Sequence, residues 1–219
     1  MVDYELLKDV DLFKDLDDSA MSGVLERAKT RSFQRNDVIF SEGQDPYELY
    51  VVLDGRIAIA NKSMDGRESM VALMERGDLF GEMGLFDGQG RSAEARALEP
   101  SDVIVIPYIP LRELYEARPD LLWKVVELLS RRLRTMDSAL ADSFFLDVTG
   151  RTAKRLLELA GEADEFEVPI TQEELAGLVG ASRERVNKAI ASFIKLGWIE
   201  QSDRNYRITN RRQLEIRAS

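Results

Sequence analysis

Between Gly81 and Ala93 the chain reads Gly-Glu-Met-Gly-Leu-Phe-Asp-Gly-Gln-Gly-Arg-Ser-Ala. These residue types can hold a small anion that also carries a hydroxyl. Glycines let backbone N–H groups come close to an oxyanion, Arg91 presents a forked set of donors matched to phosphate, and Ser92 adds a hydroxyl beside it. Ionised Glu82 can only accept hydrogen bonds. A ligand with both a phosphate and a hydroxyl would satisfy all three, which is the chemistry of a nucleotide. The same spacing equally fits a glycine-rich hairpin with an ordinary surface Glu–Arg pair, and the stretch alone does not decide between them.

A second constellation lies towards the C-terminal end. Thr171-Gln172-Glu173-Glu174 is a capping box, in which the Thr171 hydroxyl caps a helix and Glu174 reaches back. Ala176 permits close helix approach, Gly180 occupies a turn, and Ser182 is a good N-cap for a second helix with Val186, Ile190 and Phe193 on its buried side. This is the layout of a helix-turn-helix, and the second helix displays Arg183, Glu184, Arg185 and Lys188 on its first turns. Arg can bind guanine O6 and N7 with two bonds and Glu can accept from the cytosine amino group, so Arg183, Glu184 and Lys188 could address one major groove. A solvated face with a Glu184–Lys188 pair would look the same. The hairpin Gly197-Trp198-Ile199-Glu200-Gln201, turn 202–205 and Tyr206-Arg207-Ile208-Thr209 follows directly, as in a winged helix, with Arg204 at the tip able to meet phosphate. The candidate DNA-facing set is Thr171, Ser182, Arg183, Glu184, Arg185, Lys188 and Arg204.

Composition narrows the possibilities. The 219 residues suit two domains with ample core material. The absence of cysteine and histidine removes disulfides, thiolate clusters and the commonest zinc, haem and general-base ligands, so neither a metal site nor hydrolytic catalysis by a triad is expected. No apolar run approaches the roughly 20 residues that cross a bilayer, and residues 1–5 lack the basic start of a secretory signal. A cytoplasmic protein with no membrane partner is expected. The net charge is −10, yet residues 171–219 carry nine Lys/Arg against six Asp/Glu, a net of +3, leaving −13 on the first 170. An acidic body with a basic end suits a DNA reader joined to a separate sensor.

Other elements must position these two sets. Residues 3–13 and 17–30 look helical, with Leu6, Leu7, Leu12, Met21 and Leu25 as an apolar stripe. From Arg31 onward short β-like runs appear at 38–40, 49–53, 56–60, 70–74 and 103–106, divided by turn signals such as Asp54-Gly55 and Asp65-Gly66. About eight strands in a small sandwich or barrel are expected, with the 81–93 stretch between the Leu79-Phe80 and 95–98 segments. Residues 110–115 read as a short helix and Pro119 opens a long one. In it Leu122, Val126, Leu129, Leu133, Met136 and Leu140 recur at intervals of 4, 3, 4, 3 and 4, a heptad seam that suits a dimer interface, with Arg131, Arg132 and Arg134 off it. Residues 147–151 look like a hinge, Gly150 weakening the helix before 152–159 resume it, and 161–165 form a polar break.

Taken together, the chain resembles the cyclic AMP receptor protein (CRP/FNR-type) family of bacterial transcription regulators. The matching stretches are Phe80-Gly81-Glu82-Met83-Gly84-Leu85-Phe86 with Arg91-Ser92-Ala93, Phe145 to Arg151, Thr171 to Glu174, and Val179 to Val186. The resemblance implies an α+β fold: a jelly-roll-like cyclic-nucleotide β-roll over 1–118, a dimerising central helix over 119–146, and a winged helix-turn-helix over 147–219. It implies that Gly81 and Glu82, with Met83, hold the ribose end of a cyclic nucleotide, cyclic AMP first among the candidates, while Arg91, Ser92 and the Ala93 backbone hold the phosphate. It further implies that Arg183, Glu184 and Lys188 read a TGTGA-like half-site in a palindrome, and that RNA polymerase is a partner. Met136 and Asp137 stand where cyclic-AMP-responsive members place small hydroxyl or amide residues against the adenine. Met136 belongs to the seam; Asp137 could accept from the adenine 6-amino group or simply be solvated.

Overall fold

A computed structural model describes residues 3–62 and 68–219; the expected Asp65-Gly66 turn lies outside them. The described chain divides into two compact units, one ending at Leu133 and one beginning at Arg134.

The first unit holds two four-stranded antiparallel sheets. One has the order β1 (Lys29–Phe33), β8 (Ser101–Pro107), β3 (Glu48–Asp54), β6 (Leu79–Phe80); the other has β2 (Val38–Phe40), β7 (Glu94–Ala97), β4 (Ile57–Lys62), β5 (Glu68–Met74). Side chains alternate across a strand, and β3 and β8 use both faces. Tyr50, Val52, Val103 and Val105 point into the space between the sheets with Phe40, Ile57 and Phe80. Leu49, Val51, Ile104 and Ile106 point the other way, into a layer built with Leu7, Met21, Leu111, Val125 and Leu128 of the flanking helices and Phe13 of the turn after the first of them. Burial on both faces is why these strands read as continuous apolar runs.

The N-terminal helices are shorter than the apolar stripe predicts. Helices α1 (Tyr4–Asp9) and α2 (Asp18–Leu25) are each opened by an aspartate, Asp3 accepting from the Leu6 N–H and Asp17 from that of Ala20. The chain leaves α2 at Leu25 because residues 29–33 complete the sheet, Lys29 pairing with Val105 and Phe33 with Ser101. Helix α4 spans Tyr108–Ala117, longer than expected at both ends, and Pro119–Leu121 form a 3-10 turn before the long helix α5 (Leu122–Phe145) begins. Two stripes on α5 are distinct. Val125 and Leu128 are buried in their own unit, in line with Leu121, whereas Leu122, Val126, Leu129, Leu133, Met136 and Leu140 are 38–62% exposed.

In the second unit α6 (Val148–Ala160) runs straight through Gly150, where a helix break was expected. Asp147 caps it, accepting from the Gly150 N–H at 2.8 Å and pairing with Arg217. A Cβ on Gly150 would lie 3.0 Å from the Arg217 carbonyl oxygen, so the glycine serves close helix approach rather than flexibility. The partner there is α9 (Arg211–Arg217), a helix the sequence reading did not anticipate, held by buried Leu214. Helices α7 (Gln172–Val179) and α8 (Arg183–Lys195) form the helix-turn-helix. Strands β10 (Ile199–Ser202) and β11 (Asn205–Ile208) form the wing, extended by a third strand, β9 (Glu165–Glu167), which starts at the last residue of the expected polar break; residues 161–164 form that break.

Candidate ligand pocket and nucleic-acid interface

The stretch from Gly81 to Ala93 is not a plain loop, since Met83–Asp87 form a short helix, α3, between β6 and β7. That turn of helix folds the stretch back so that its two ends meet. Gly81, Glu82, Met83, Arg91, Ser92 and Ala93, separated by up to 12 positions in sequence, line one cavity of about 80 Å³. All six ligand-facing residues expected on the roll are thus brought together.

Arg91 is only 7% exposed. Its guanidinium donates to the carbonyl oxygens of Gly81 and Glu48, both at 2.6 Å, and to the Tyr108 hydroxyl at 3.1 Å. The Phe40 ring lies 4.1 Å below it, a stacked arrangement that fixes the plane of the fork. Tyr108 in turn donates to the Gly81 carbonyl, and burial raises its phenol pKa above the ordinary value. Gly81 is required here: its φ is +75°, and a Cβ would sit 2.7 Å from Arg91 Nη1. After these bonds Arg91 Nε remains buried with no partner.

Glu82 is fully buried. Its Oε1 pairs with Arg132 of α5, and Arg132 Nη2 also donates to the Leu79 carbonyl at 2.5 Å. Glu82 Oε2, however, is buried with no partner. The pocket therefore carries one unused acceptor and one unused donor on opposite arms of the same hairpin. Unmade bonds of this kind are costly when permanently buried, and a hydroxyl together with an anionic oxygen would complete both. Ser92 is exposed, its hydroxyl 3.7 Å from the Met83 sulfur, and both line the opening. Met136 and Asp137 lie four and five residues beyond Arg132 on α5, exposed, in the second unit. Arg132 is the residue that sequence reasoning passed over. It continues the inward-facing interval of Leu121, Val125 and Leu128, a cation at the end of a buried stripe.

The second candidate set lies wholly in the C-terminal unit. Thr171 accepts from the Glu174 N–H at 3.2 Å and Glu174 accepts from the Thr171 N–H at 2.6 Å, so the expected capping box is present. Ser182 occupies the N-cap of α8, although no bond from its side chain caps the helix. Two arginines of α6 hold the turn between the helices: Arg151 donates to the Val179 carbonyl at 2.9 Å and Arg155 to that of Leu178 at 3.3 Å. Val186, Ala189, Ile190 and Phe193 bury one side of α8, and the Phe193 ring stacks on Trp198 at 5.6 Å, tying α8 to the wing. The opposite side is left to solvent with Arg183, Glu184, Arg185 and Lys188 on it, and Arg204 is exposed at the β-turn of the wing. Glu184 and Lys188 pair with each other at 2.7 Å, which holds the Glu184 carboxyl below its ordinary pKa. The geometry is that of a helix offered whole to a groove, with cations at its start and on the adjoining hairpin.

Among the described residues no group of side chains could hold a metal ion, and no helix is long and apolar enough to cross a membrane. Comparison with known proteins agrees with both constellations. Residues 30–118 match the cyclic nucleotide-binding domain and residues 150–217 the Crp-like helix-turn-helix domain. A CRP-like cAMP-activated global transcriptional regulator of Mycobacterium tuberculosis is 35% identical over 98% of this chain and 99% of that protein. The cAMP-activated global transcriptional regulator CRP of Salmonella typhimurium is 32% identical over 79% of this chain and 86% of its own length. The FixK2 structure from Bradyrhizobium japonicum superposes with a TM-score of 0.80 at 20% identity, covering 88% of this chain and 98% of that one, a likeness of fold. With a β-roll, a long helix and a winged helix-turn-helix in this order, the chain belongs to the cyclic AMP receptor protein (CRP/FNR) family of bacterial transcription regulators.

Proposed function

We propose that the protein is a homodimeric transcription regulator that binds a palindromic double-stranded DNA site and whose DNA affinity is set by a cyclic nucleotide, cyclic AMP, held in the roll pocket. In this reading residues 1–118 sense, 119–146 dimerise and 147–219 bind DNA, with RNA polymerase as a further partner. The observation that carries it is the pair of buried, unpartnered atoms on residues lining one cavity, Glu82 Oε2 as acceptor and Arg91 Nε as donor. The ribose hydroxyl and the cyclic phosphate of cyclic AMP are the complementary groups. That relatives are named as cAMP-activated supports the same ligand, and Asp137 offers an acceptor for the adenine amino group. The exposed seam supports the dimer, because α5 already uses a different stripe to pack on its own unit.

The mechanism needs only differential binding: ligand favours whichever arrangement of the two DNA-binding units completes its contacts. Arg132 supplies a physical link, since it holds Glu82 from a position on α5. The cavity, about 80 Å³, is smaller than the roughly 300 Å³ at which small-molecule pockets begin, so a nucleotide must displace the side chains at the opening, Arg132 and Met83 among them.

The same small volume favours a second reading, a regulator that takes another effector or none and binds DNA constitutively. Titrating the full chain with cyclic AMP, cyclic GMP and cyclic di-GMP, and footprinting a TGTGA-type palindrome with and without each, separates the two. Heat with cyclic AMP and stronger protection in its presence is the expected result. No heat with any of the three, with identical protection throughout, establishes the second reading.

Two further outcomes test the residue roles. Tyr108→Phe removes one hydrogen bond that orients Arg91 and is expected to weaken cyclic AMP binding about threefold to tenfold, the value of one ordinary bond, with the fold intact by circular dichroism. Unchanged affinity would mean that Phe40 and the two carbonyls suffice to place the guanidinium. Arg183→Ala is expected to cost roughly 1–3 kcal/mol of specific binding and to relax one position of the site, as loss of a bidentate base contact does. Equal weakening on every sequence would make Arg183 a phosphate contact instead.

A further inference from the structure

Asn187 occupies the fifth position of α8 and is exposed, and no hydrogen bond or ion pair of the described residues uses its side chain. Its neighbours on the helix are differently placed. Glu184 and Lys188 are occupied with each other, while Arg183, four residues before Asn187, has no ion pair among the described residues. Residues four apart lie one above the other on a helix, so Arg183 and Asn187 present an unengaged guanidinium and an unengaged amide along one edge of the exposed face. Ala191 continues that edge a turn later with a methyl group, leaving the approach to Asn187 open. Asparagine is also a poor choice for an exposed helix interior on structural grounds, because its side chain competes for backbone hydrogen bonds. Nothing in the packing of α8 requires it.

We propose that Asn187 is a specificity-determining residue that reads an adenine in the major groove, Oδ1 accepting from the 6-amino group and Nδ2 donating to N7. This is the bidentate match of a carboxamide to adenine, as guanidinium matches guanine. Four helical residues advance about 6 Å and one base step about 3.4 Å, so the adenine lies within two base pairs of the guanine read by Arg183. The inference rests on the DNA-binding reading above, and the experiment separates the two.

The full-length protein and its Asn187→Ala and Asn187→Ser variants are each used to select sites from a randomised duplex library, and affinities for the selected site are measured by fluorescence anisotropy. Wild type is expected to select adenine at one position beside the guanine. Asn187→Ala is expected to lose about tenfold on the selected site, the size of one bidentate contact, and to accept any base at that position, with the salt dependence unchanged. Replacing the adenine by 7-deaza-adenine is expected to weaken wild type by several-fold and Asn187→Ala not at all. Unaltered base preference in Asn187→Ala overturns the proposal, as does equal weakening on all duplexes, which marks a phosphate contact. Failure of wild type to select any sequence would instead overturn the DNA-binding reading itself.

Discussion

Arg91→Gln is expected to abolish cyclic nucleotide binding at ligand concentrations that saturate the unsubstituted protein, a loss of at least about 100-fold by calorimetry. Two contributions add up to this. A charge-assisted bond to phosphate is worth about twice a neutral one, roughly 1.5–3 kcal/mol, and glutamine is also too short and uncharged to reproduce the fork. The substitution has a second effect that must be kept apart from the first. Arg91 holds the Gly81 and Glu48 carbonyls, both at 2.6 Å, from a buried position. Releasing two buried acceptors costs roughly 1–3 kcal/mol each where water cannot replace the donor, so the melting temperature falls as well. Ser92→Ala separates the two effects. Ser92 is exposed and no carbonyl of the roll depends on it, so binding is expected to weaken several-fold with the melting temperature unchanged. Retained wild-type affinity in Arg91→Gln would remove the phosphate from this pocket.

On the proposed homodimer reading, a glutamate at Leu133 is expected to convert dimers to monomers. Leu133 is 60% exposed at the centre of the seam, and across a two-fold axis the two copies of the new carboxylate would face each other in an apolar surface. Removing a leucine from a packed apolar surface costs about 2 kcal/mol or more, and an unpaired charge desolvated there adds a larger penalty. Sedimentation should therefore show a single species of about half the wild-type mass. On the proposed reading a palindrome is bound by two linked readers, so losing the link should lower its affinity by about 100-fold or more while a single half-site is bound as before. Arg134→Glu, exposed and one residue off the seam, is the control and should remain dimeric. A Leu133→Glu protein that stays dimeric would move the interface elsewhere on the chain.

Which parts of this molecule could be read in the chain follows from where the burial signal is strong. The capping box at Thr171 and the runs of β3 and β8 are legible because each carries its own local signature: a hydroxyl three residues before a glutamate, or apolar residues on both faces. Strand β1 is not, since Lys29 to Phe33 are almost wholly exposed and owe their conformation to pairing with β8. The same holds for β9, whose Glu165 and Glu167 face solvent beside β11, and for α9, which has one buried side chain. Gly150 misleads for a related reason. A glycine in a helix reads as weakness until the Arg217 carbonyl 3.0 Å from its missing Cβ is known. In the pocket, residue types singled out Glu82, Arg91 and Ser92, and the structure places all three on one cavity. What no spacing reveals is the burial of Glu82 and Arg91 and their two unused atoms, which favour the anion cradle over a plain hairpin.

Helix α5 limits its own freedom of movement. One stripe, Val125 and Leu128, is locked in the roll, and Arg132 continues it to reach Glu82; a second, about a quarter turn around the axis, is the exposed seam. Successive residues of an α-helix stand about 100° apart, so turning α5 about its long axis by even one position would break the apolar contacts of Val125 and Leu128 and the Arg132–Glu82 pair at once. Within the roll it has one angular setting. Past Phe145 only Leu146 and Asp147 separate it from α6. Asp147 is also the cap of α6 and the partner of Arg217. With the Lys154–Asp142 pair, which ties α6 back to α5, this carboxylate pins the start of α6 to its neighbours on both sides.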